Sequence, residues 1–581
     1  MSGPVKLDTP GSGPATHPYP CPAAGRSDTL CLMEPWQRVT AYHERTKHHF
    51  NRYARSLGYM DWANQPDPFR RYEGAPAVKL DISSTPRQPN PSYDNLYAAG
   101  AVLAVPVTRA SISSFFEYSL ALSAWKQHKE SRWALRVNPS SGNLHPTEGY
   151  LIAGPVDGVH DRGGVYHYAP KDHTLERRSE IGVTMWHELT APFPAGTFFV
   201  ALTSIHWREA WKYGERAYRY CQHDAGHALA ALSIAAALHG WRAHWISYLG
   251  DNELSRLLGL DREGDFGDAE REAPDFLLAI CPNPVASVDG QLNLNAIDDI
   301  TKSAWFGHAN RLSTEHADWP IIDETAANGI KPVTGVELGE SNEAVGPPLE
   351  ADRMGMSARQ IIFQRRSALA LDGRTTITAR QFFLILDRVL PRRDLPPFHT
   401  LGPPVCVHLV LFIHRVTDLD PGLYILVRRP DALQPLRSAM DPSFDWSRPD
   451  GCPDSIPLYQ LASGDARQLA AQLSCGQEIA ADGVFACAMI AEFAAPLRTH
   501  GAWFYRRLHW EAGAIGQVLY LEAEAAGIRG TGIGCFFDDP THELLGLRDT
   551  AYQTIYYFTM GGPKEDLRLM TWPPYPAKVG T

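Results

Sequence analysis

The sequence predicts an α+β protein built from two tandem copies of one domain. The first observation is length, because 581 residues exceed what one hydrophobic core usually organises. The second is an internal repeat: Gly226 and Gly513 lie 287 positions apart, inside an ungapped match of about 65 residues. The third is a polar stretch without periodicity at residues 325–355, which is typical of a linker. Two linked copies are expected to pack as an intrachain pseudo-dimer.

Composition along the chain divides it into five segments. A Pro/Gly-rich tail without an apolar core segment is expected to be disordered, and it is not a signal peptide. The predicted segments are this tail at residues 1–34, an N-terminal helical extension and connector at 35–90, the first domain at 91–324, the linker at 325–355 and the second domain at 356–575.

Apolar spacing predicts the main elements of the first copy. Residues 35–59 have helical periodicity, and residues 108–129 begin as a capped helix. Residues 213–239 predict a helix that is apolar nearly all round and ends at Gly240, so it is expected inside a core or between the copies. Strands are expected at residues 150–153, 164–168 and 198–202.

The overall composition excludes several classes of protein. A formal net charge of -11 disfavours a general nucleic-acid binder, so we interpret the basic, aromatic stretch at residues 43–52 as a solvated helix face. Nine cysteines without a CxxC pair argue against a zinc ribbon or a disulfide scaffold and favour a reducing compartment. Because no apolar run is long enough to span a membrane, we expect a cytoplasmic protein.

The loop at residues 138–146 stands out in the first copy. It contains two prolines, two serines and a glycine just before a predicted strand, so it is expected to be rigid and polar. Taken alone, the loop is explained as a plain turn. A role in binding is favoured only if the rest of the chain supplies groups that complement it. The second copy lacks this loop and has residues 401–405 in its place.

The second copy has two features that the first lacks. It opens with Arg365, Arg366 and Ser367, and paired arginines can clamp an anion as well as lie on the surface. It ends near the glycine-rich stretch at residues 530–534, where missing side chains allow close approach to a ring system. The first copy has Trp245 in the equivalent place. Each half therefore carries one part of a possible site.

These motifs together resemble the nitroreductase superfamily of FMN oxidoreductases, which are α+β dimers with an antiparallel-rich sheet flanked by helices. In that family the flavin lies in the subunit interface. The resemblance assigns one set of contacts to Arg365, Arg366, Ser367, Gly532, Ile533 and Gly534 of the second copy, and the facing set to Pro139, Ser140, Ser141 and Asn143 of the first. It implies one working FMN site per chain and one degenerate site. Lys564 and Arg568 are candidates to complete a phosphate site, and a solvated turn explains them equally well.

Within the superfamily the chain looks closest to the SagB-type azoline dehydrogenases. The supporting residues include Lys212 and Tyr213, which match an adjacent Lys-Tyr pair thought to remove the substrate proton in those enzymes. The second copy has Thr499 and His500 there. The resemblance therefore implies that Lys212 or Tyr213 acts as general base while hydride leaves the substrate for flavin N5.

His223 and His227 form a pattern similar to a zinc-binding helix. We expect no metal site here, because no third ligand is evident and the second copy has Trp510 and Ala514 at these positions.

Three functions remain open from the sequence. The first is an FMN-dependent dehydrogenase or oxidase acting on a small-molecule or peptide-derived substrate. The second is an NAD(P)H-dependent nitro- or quinone reductase. The third is a non-catalytic flavin-binding or scaffold protein, which would be indicated by failure to take up flavin.

Overall fold

Two antiparallel sheets, one from each half of the chain, form the body of the protein. The computed structural model describes residues 33–82, 91–283, 291–335, 346–351, 353 and 356–575. The predicted disordered tail lies outside the described residues except for its last two positions, and so does much of the predicted linker.

The N-terminal extension contributes one helix and two short strands. These are α1 (Pro35–Arg45), β1 (Tyr72–Glu73) and β2 (Ala77–Lys79). The predicted helix over residues 35–59 is therefore too long, since α1 ends at Arg45. Beyond it the chain crosses to the second half, where His48 pairs with Phe537 in an isolated bridge.

The first half alternates short helices with strands. Its strands are β3 (Leu122–His128), β4 (Ser131–Arg136), β5 (Thr147–Ala153), β6 (Gly163–Ala169), β7 (Thr174–Ile181), β8 (Phe198–Ser204), β9 (Arg242–Trp245), β10 (Ala273–Cys281) and β11 (His308–Ala309). Its helices are α2 (Arg109–Glu117), α3 (Val183–Thr190), α4 (His206–Tyr213), α5 (Ala217–Leu238), α6 (Asp251–Leu258), α7 (Glu263–Phe266), α8 (Leu294–Thr301) and α9 (Pro320–Asn328).

The second half follows the same plan. Its helices are α10 (Ala358–Gln364), α11 (Ala379–Arg388), α12 (Phe398–Leu401), α13 (Leu433–Ala439), α14 (Arg467–Leu473), α15 (Ile479–Asp482), α16 (Ala494–His500), α17 (Phe504–Ala525) and α18 (Asp538–Leu545). Its strands are β12 (Ile377–Thr378), β13 (Val407–Ile413), β14 (Val416–Thr417), β15 (Gly422–Leu426), β16 (Leu458–Ser463), β17 (Phe485–Glu492), β18 (Arg529–Ile533), β19 (Tyr552–Gly561) and β20 (Met570–Trp572).

Apart from the edge strand β2, the two sheets have the same order of strands. The first runs β2-β7-β6-β5-β8-β10-β9 and the second β16-β15-β13-β17-β19-β18. The helices α5 and α17 contain 22 residues each and begin 287 positions apart. The pairs β8 and β17, and α6 and α18, begin at the same offset.

Both long helices are buried because they lie between the halves. Of the 22 residues of α5, all but Ala237 are buried, and every residue of α17 is buried. This explains why the sequence of residues 213–239 is apolar nearly all round. The helix α5 begins at Ala217, four residues after the predicted start at residue 213. Gly214 (φ 54°) separates α4 from α5, and a side chain there would meet the Arg55 carbonyl oxygen at 2.3 Å.

Residues 108–129 do not form one helix. Thr108 caps α2 by accepting a hydrogen bond from the Ser111 N–H, and the helix ends at Glu117. The following apolar residues belong to β3, which pairs with β4 on one side and with β20 on the other. The end of the second half therefore adds a strand to a hairpin of the first.

The basic stretch after α1 is not a solvated helix face. His43, Lys47 and His48 are buried. The Arg219 guanidinium donates to the His43 carbonyl at 2.5 Å, and the Lys47 ammonium lies 2.9 Å from an Asp539 carboxylate oxygen. The extension thus links the two halves.

The part of the chain that the structure describes contains no helix long and apolar enough to cross a membrane.

Candidate functional site

The predicted loop at residues 138–146 is held rigidly on the first half. Its turn places Gly142 at φ 58° and Asn143 at φ 60°. The Ser141 N–H and hydroxyl both donate to the Asp224 carboxyl, at 3.0 and 2.9 Å. The Asn143 amide donates to the Ala134 carbonyl at 2.9 Å.

Ser140 and Pro139 of the loop are also held by the first half. The Ser140 hydroxyl accepts a hydrogen bond from the His145 N–H at 2.8 Å, and Pro139 is buried. The side chains of Ser140, Ser141 and Asn143 therefore all make hydrogen bonds within the first half, which makes the loop a fixed platform.

Lys212 and Tyr213 lie against this platform at the end of α4. A side chain at Gly142 would meet the Tyr213 hydroxyl at 2.7 Å and the Lys212 ammonium at 3.1 Å. Burial lowers the pKa of Lys212, although the Glu209 carboxyl opposes this shift. Burial raises the pKa of Tyr213 well above its usual value, and Glu209 adds to the effect. The lysine is thus the group of this pair that more readily loses its proton.

Two buried carboxyls lie behind the pair. Burial raises the pKa of Asp224 to about 7, although its hydrogen bonds from Ser140 and Ser141 act in the opposite direction. Burial and the neighbouring Asp224 raise the pKa of Glu209 well above its ordinary value. Both groups are buried. The raised pKa values favour a proton on Glu209 near neutral pH and leave Asp224 about half protonated at pH 7.

The opening of the second half reaches into the first. The Arg365 guanidinium donates to the carbonyls of Val137 at 3.0 Å and Arg136 at 3.1 Å, directly before the loop. The Arg366 guanidinium donates to the Phe363 carbonyl at 2.8 Å and, at 3.4 Å, to the Ser123 carbonyl of the first half. The arginine motif therefore lies at the junction of the halves.

Tyr520 connects this motif to the glycine-rich strand. Its hydroxyl lies 2.9 Å from the Ser367 hydroxyl and accepts a hydrogen bond from the Gly532 N–H at 2.9 Å. The Ala368 N–H donates to the Gly530 carbonyl at 2.9 Å. The structure thus brings the two predicted motifs of the second half together, and Ile533 is buried at the end of β18.

The glycines at 532 and 534 are contacted by tyrosines. A side chain at Gly532 would meet the Tyr556 hydroxyl at 2.0 Å, and one at Gly534 would meet the Tyr220 ring at 2.0 Å. Tyr220 belongs to the first half, and its ring centre lies 4.4 Å from that of Tyr213. The groups that approach these two glycines closely are therefore tyrosine side chains of this protein. Tyr220 also joins the glycine strand to the Lys212–Tyr213 pair.

Several buried polar atoms at this junction have no partner among the described residues, and two of them complement each other as donor and acceptor. These two are the Arg365 Nη1 nitrogen and the Asn138 side-chain carbonyl oxygen. Buried donors and acceptors are normally paired, so a polar ligand is expected here. A guanidinium N–H and an amide oxygen match the acceptor and donor groups on the pyrimidine edge of a flavin. Gly142 and Ser367 are exposed, which leaves the site accessible. The residues present therefore fit FMN.

A cluster of basic residues borders Arg366. Burial and Arg365 lower the pKa of Arg366 to about 10. Burial, together with Arg366 and Arg529, lowers the pKa of Lys126. Such mutual repulsion is relieved by a bound anion. Lys564 is exposed, and the exposed Arg568 guanidinium pairs with Asp566 at 2.7 Å in its own turn.

The second interface region differs in chemistry. Trp245 occupies the place of Gly532, and its ring centre lies 5.7 Å from that of Trp510. Trp510 in turn lies 5.1 Å from Phe276. Glu511, which corresponds to Asp224, lies 3.4 Å from Arg507 and accepts from the Cys406 N–H at 3.1 Å. Indole rings fill this region.

His223 and His227 do not act together as ligands in the structure. The His227 Nε2 lies 3.0 Å from the Tyr556 hydroxyl, and the His223 ring stacks on Tyr556 at 4.3 Å. Within the described ranges no group of three or more metal-ligating side chains is assembled.

A cavity of about 480 Å³ opens beside the turn that follows Tyr213. It is lined by Arg45, Arg52, Tyr53, Arg55 and Glu215.

Several residues of the site were not singled out from the sequence. Tyr520 and Tyr556 carry no motif of their own, and Lys126 and Arg529 lie in ordinary strands. Tyr220 entered only as the end of the stretch from Lys212 that resembles the SagB-type enzymes. The available signal was the 287-residue offset. At that offset Tyr520 corresponds to Ser233, and Tyr220 corresponds to Arg507. Non-equivalent residues on the two long helices indicate where the interface regions differ.

Residues 104–267 match the sequence profile of the nitroreductase family. This segment contains the loop, Lys212, Tyr213 and Asp224. The protein MJ1384 of Methanocaldococcus jannaschii, which is provisionally named a nitroreductase, is 30% identical over 129 residues. The match covers 21% of this chain and 62% of that protein, so the chain spans less than two thirds of its relative's length.

A crystal structure from Anabaena variabilis ATCC 29413, provisionally described as a nitroreductase, has the same fold. Its TM-score is 0.65 and its identity 21%, and the match covers 91% of this chain and 99% of its own. A match of that extent includes residues of both halves. The chain therefore has a nitroreductase-like fold of mixed helices and sheet, and residues 104–267 are similar to the nitroreductase family.

Proposed function

We propose that this chain is an FMN-dependent oxidoreductase with one flavin site between its two halves. The observation that carries the proposal is the position of Arg365. It comes from the second half, bonds to the Val137 carbonyl of the first, and keeps a buried N–H without a protein partner among the described residues. A cofactor with a polar, planar edge would satisfy this group.

We infer that the halves are tandem copies of one domain that act as a pseudo-dimer. The equal sheet orders and the constant offset between their long helices support this inference. Each copy then supplies a different wall of the site: the first supplies the loop with Lys212 and Tyr213, and the second supplies the arginines and the glycine strand.

The second interface region is proposed to be closed. Trp245 and Trp510 stand at the positions of Gly532 and His223, and they pack on each other and on Phe276. Filling a site with indole rings removes both the space and the hydrogen-bond groups that a flavin requires.

Lys212 is proposed to be the proton acceptor and Tyr213 a residue that positions it. A lysine whose pKa is lowered by burial is neutral more often, so it can accept a proton from substrate carbon or nitrogen. The Tyr213 phenol keeps its proton. When bound, FMN would supply the hydride-accepting ring. The buried Glu209 lies close enough to Lys212 to affect its pKa.

The substrate class is proposed to be a small molecule or a peptide-derived group with an oxidisable C–N or related bond. This follows the resemblance of Lys212 and Tyr213 to the Lys-Tyr pair of SagB-type dehydrogenases. An NAD(P)H-dependent reductase is the alternative within the same class. Rapid bleaching of bound flavin by NADH or NADPH would favour the reductase.

A non-catalytic protein is the second candidate, and one observation favours it. The Tyr220 ring and the Tyr556 hydroxyl lie in the space beside the two glycines that a flavin ring could otherwise approach. If these tyrosines keep that position, the halves form a scaffold without cofactor.

Titration of FMN into flavin-free protein tests the proposal. Quenching of flavin fluorescence gives the dissociation constant for the wild type, for Arg366→Ala and for Arg393→Ala, an exposed arginine elsewhere in the second half. Loss of one charged contact is expected to weaken binding by about 1.5–3 kcal/mol, or at least tenfold, in Arg366→Ala alone. Equal dissociation constants for all three proteins would remove Arg366 from the site.

A further inference from the structure

Two cysteines of the second half lie in direct contact. The Sγ atoms of Cys475 and Cys535 are 2.8 Å apart, although the residues are 60 positions apart in sequence. Cys475 lies in the turn between α14 and α15, and Cys535 follows β18 directly after Gly534. Both are free thiols and both are half-buried.

The two segments are fixed against each other by backbone groups. The Phe537 N–H donates to the Leu473 carbonyl at 2.8 Å, and the Gln477 amide donates to the Cys535 carbonyl at 3.0 Å. Cys475 adopts φ 54°, a conformation that few residues other than glycine take, so its side chain is directed by the turn. The contact is therefore built into the local structure.

The surroundings favour thiolate chemistry at Cys535. The hydrogen bond between the thiols lowers the pKa of Cys535 against the opposing effect of burial, and the Arg216 guanidinium adds to the lowering. Arg216 lies at the same loop, where it donates to the Gly534 carbonyl at 3.3 Å. Lowered thiol pKa, partial exposure and a neighbouring second thiol are the features of reactive cysteines.

We propose that Cys475 and Cys535 form a redox-active thiol pair that is oxidised by small-molecule disulfides. The Cys535 thiolate attacks one sulfur of the disulfide, forms a mixed disulfide and releases one thiolate. Cys475, after losing its proton, attacks the Cys535 sulfur, breaks the mixed disulfide and releases the second thiolate. The two protons lost by the cysteines neutralise the two released thiolates, so one small disulfide is reduced to two thiols.

The bond would fasten the end of the glycine-rich strand. Cys535 is adjacent to Gly534, which contacts Tyr220 of the first half. A bond to Cys475 ties this loop to the turn after α14 and limits its movement. The proposal does not depend on flavin binding, because the thiol pair and its oxidant are sufficient for the reaction.

The test uses the reduced full-length protein with glutathione disulfide as the probe. Free thiols are counted after incubation, and peptide mapping without reductant identifies the linked residues. We expect the wild type to lose two thiols per chain and to yield a peptide pair joined through Cys475 and Cys535. Cys452→Ser, which removes another half-buried thiol, should leave this loss unchanged.

The single variants separate the two steps. Cys475→Ser should stop at a mixed disulfide between Cys535 and glutathione, and Cys535→Ser should lose the fast reaction. A wild type that keeps both thiols, or a Cys475→Ser variant that does not accumulate the mixed disulfide while remaining folded by circular dichroism, would overturn the proposal. Linkage of either residue to a different cysteine would overturn it as well.

Discussion

Gly226 and Gly513 face each other where the two long helices cross. A side chain at Gly226 would meet the Trp510 carbonyl oxygen at 2.3 Å, and one at Gly513 would meet the His223 carbonyl oxygen at 2.2 Å. The two glycines lie 287 positions apart, the same offset as the two helices, and each is in close contact with the backbone of the other helix. Their contact sets the distance between the halves and thereby the width of both interface regions.

Alanine at either crossing position is expected to destabilise the protein strongly. The obstructing atoms belong to the backbone of the partner helix and cannot rotate away, so Gly226→Ala or Gly513→Ala should cost on the order of 3 kcal/mol. Denaturant unfolding measures the loss. Gly264→Ala is the control, because no atom lies within 4 Å of its added methyl group. An equal effect in crossing and control variants would contradict tight helix contact.

The stability of the protein should depend on the ionisation of Asp224. Its pKa of about 7 in the folded protein exceeds the value of about 4 expected for an unfolded chain. The folded state therefore binds the proton more tightly. The resulting stabilisation is complete below about pH 4 and is lost as the pH rises through about 7.

Asp224→Asn removes this titration and keeps an oxygen that can accept from Ser141. Relative to the wild type, it should gain stability between about pH 5.5 and about pH 8.5. Unfolding free energies at the two pH values measure the gain, with the exposed Asp261→Asn as control. A stability difference that is the same at both pH values would show that Asp224 does not titrate in this range.

Lys212 should be required for turnover and dispensable for flavin binding. Once a substrate has been found by screening, Lys212→Ala is expected to reduce its oxidation by about 10²-fold or more, because a proton acceptor is lost. Flavin reduction under single-turnover conditions measures the effect. Lys302→Ala, at an exposed surface position, is the matched control. Normal turnover by Lys212→Ala would remove this lysine from the mechanism.

Tyr520 should contribute to flavin affinity through its hydroxyl. Tyr520→Phe removes the partner of Ser367 and of the Gly532 N–H, which should cost about 1 kcal/mol per hydrogen bond in stability and about tenfold in FMN affinity. Tyr557→Phe removes a comparable bond, 2.6 Å long, to Thr541 on the other face of the sheet. Isothermal titration should show weaker FMN binding only in the first variant; equal binding by both would exclude a role for Tyr520.

The sequence predicted the parts of the structure that repeat or that carry dense motifs. The helix α5 was visible because burial on all sides leaves a largely apolar sequence, and α17 was reached through the 287-residue offset between Gly226 and Gly513. A nitroreductase-like fold of mixed helices and sheet is confirmed by the similarity to a solved structure over most of the chain.

Other features had no local signal. His43, Lys47 and His48 look like a solvated face because their partners, such as Asp539, lie almost 500 residues away. Likewise, no pattern near Gly534 reveals that Tyr220 fills the space beside it. Long-range contacts of this kind depend on how the two halves pack. The spacing of apolar and polar residues within one segment does not predict that packing.

The number of flavins bound per chain tests the central claim most directly. Purified protein is saturated with FMN, freed of excess by gel filtration, and its flavin is released and counted against protein concentration. We predict one FMN per chain, held between the arginine motif of the second half and the loop of the first. Two per chain would contradict the closure of the tryptophan-filled region, and none after saturation would contradict the proposed function.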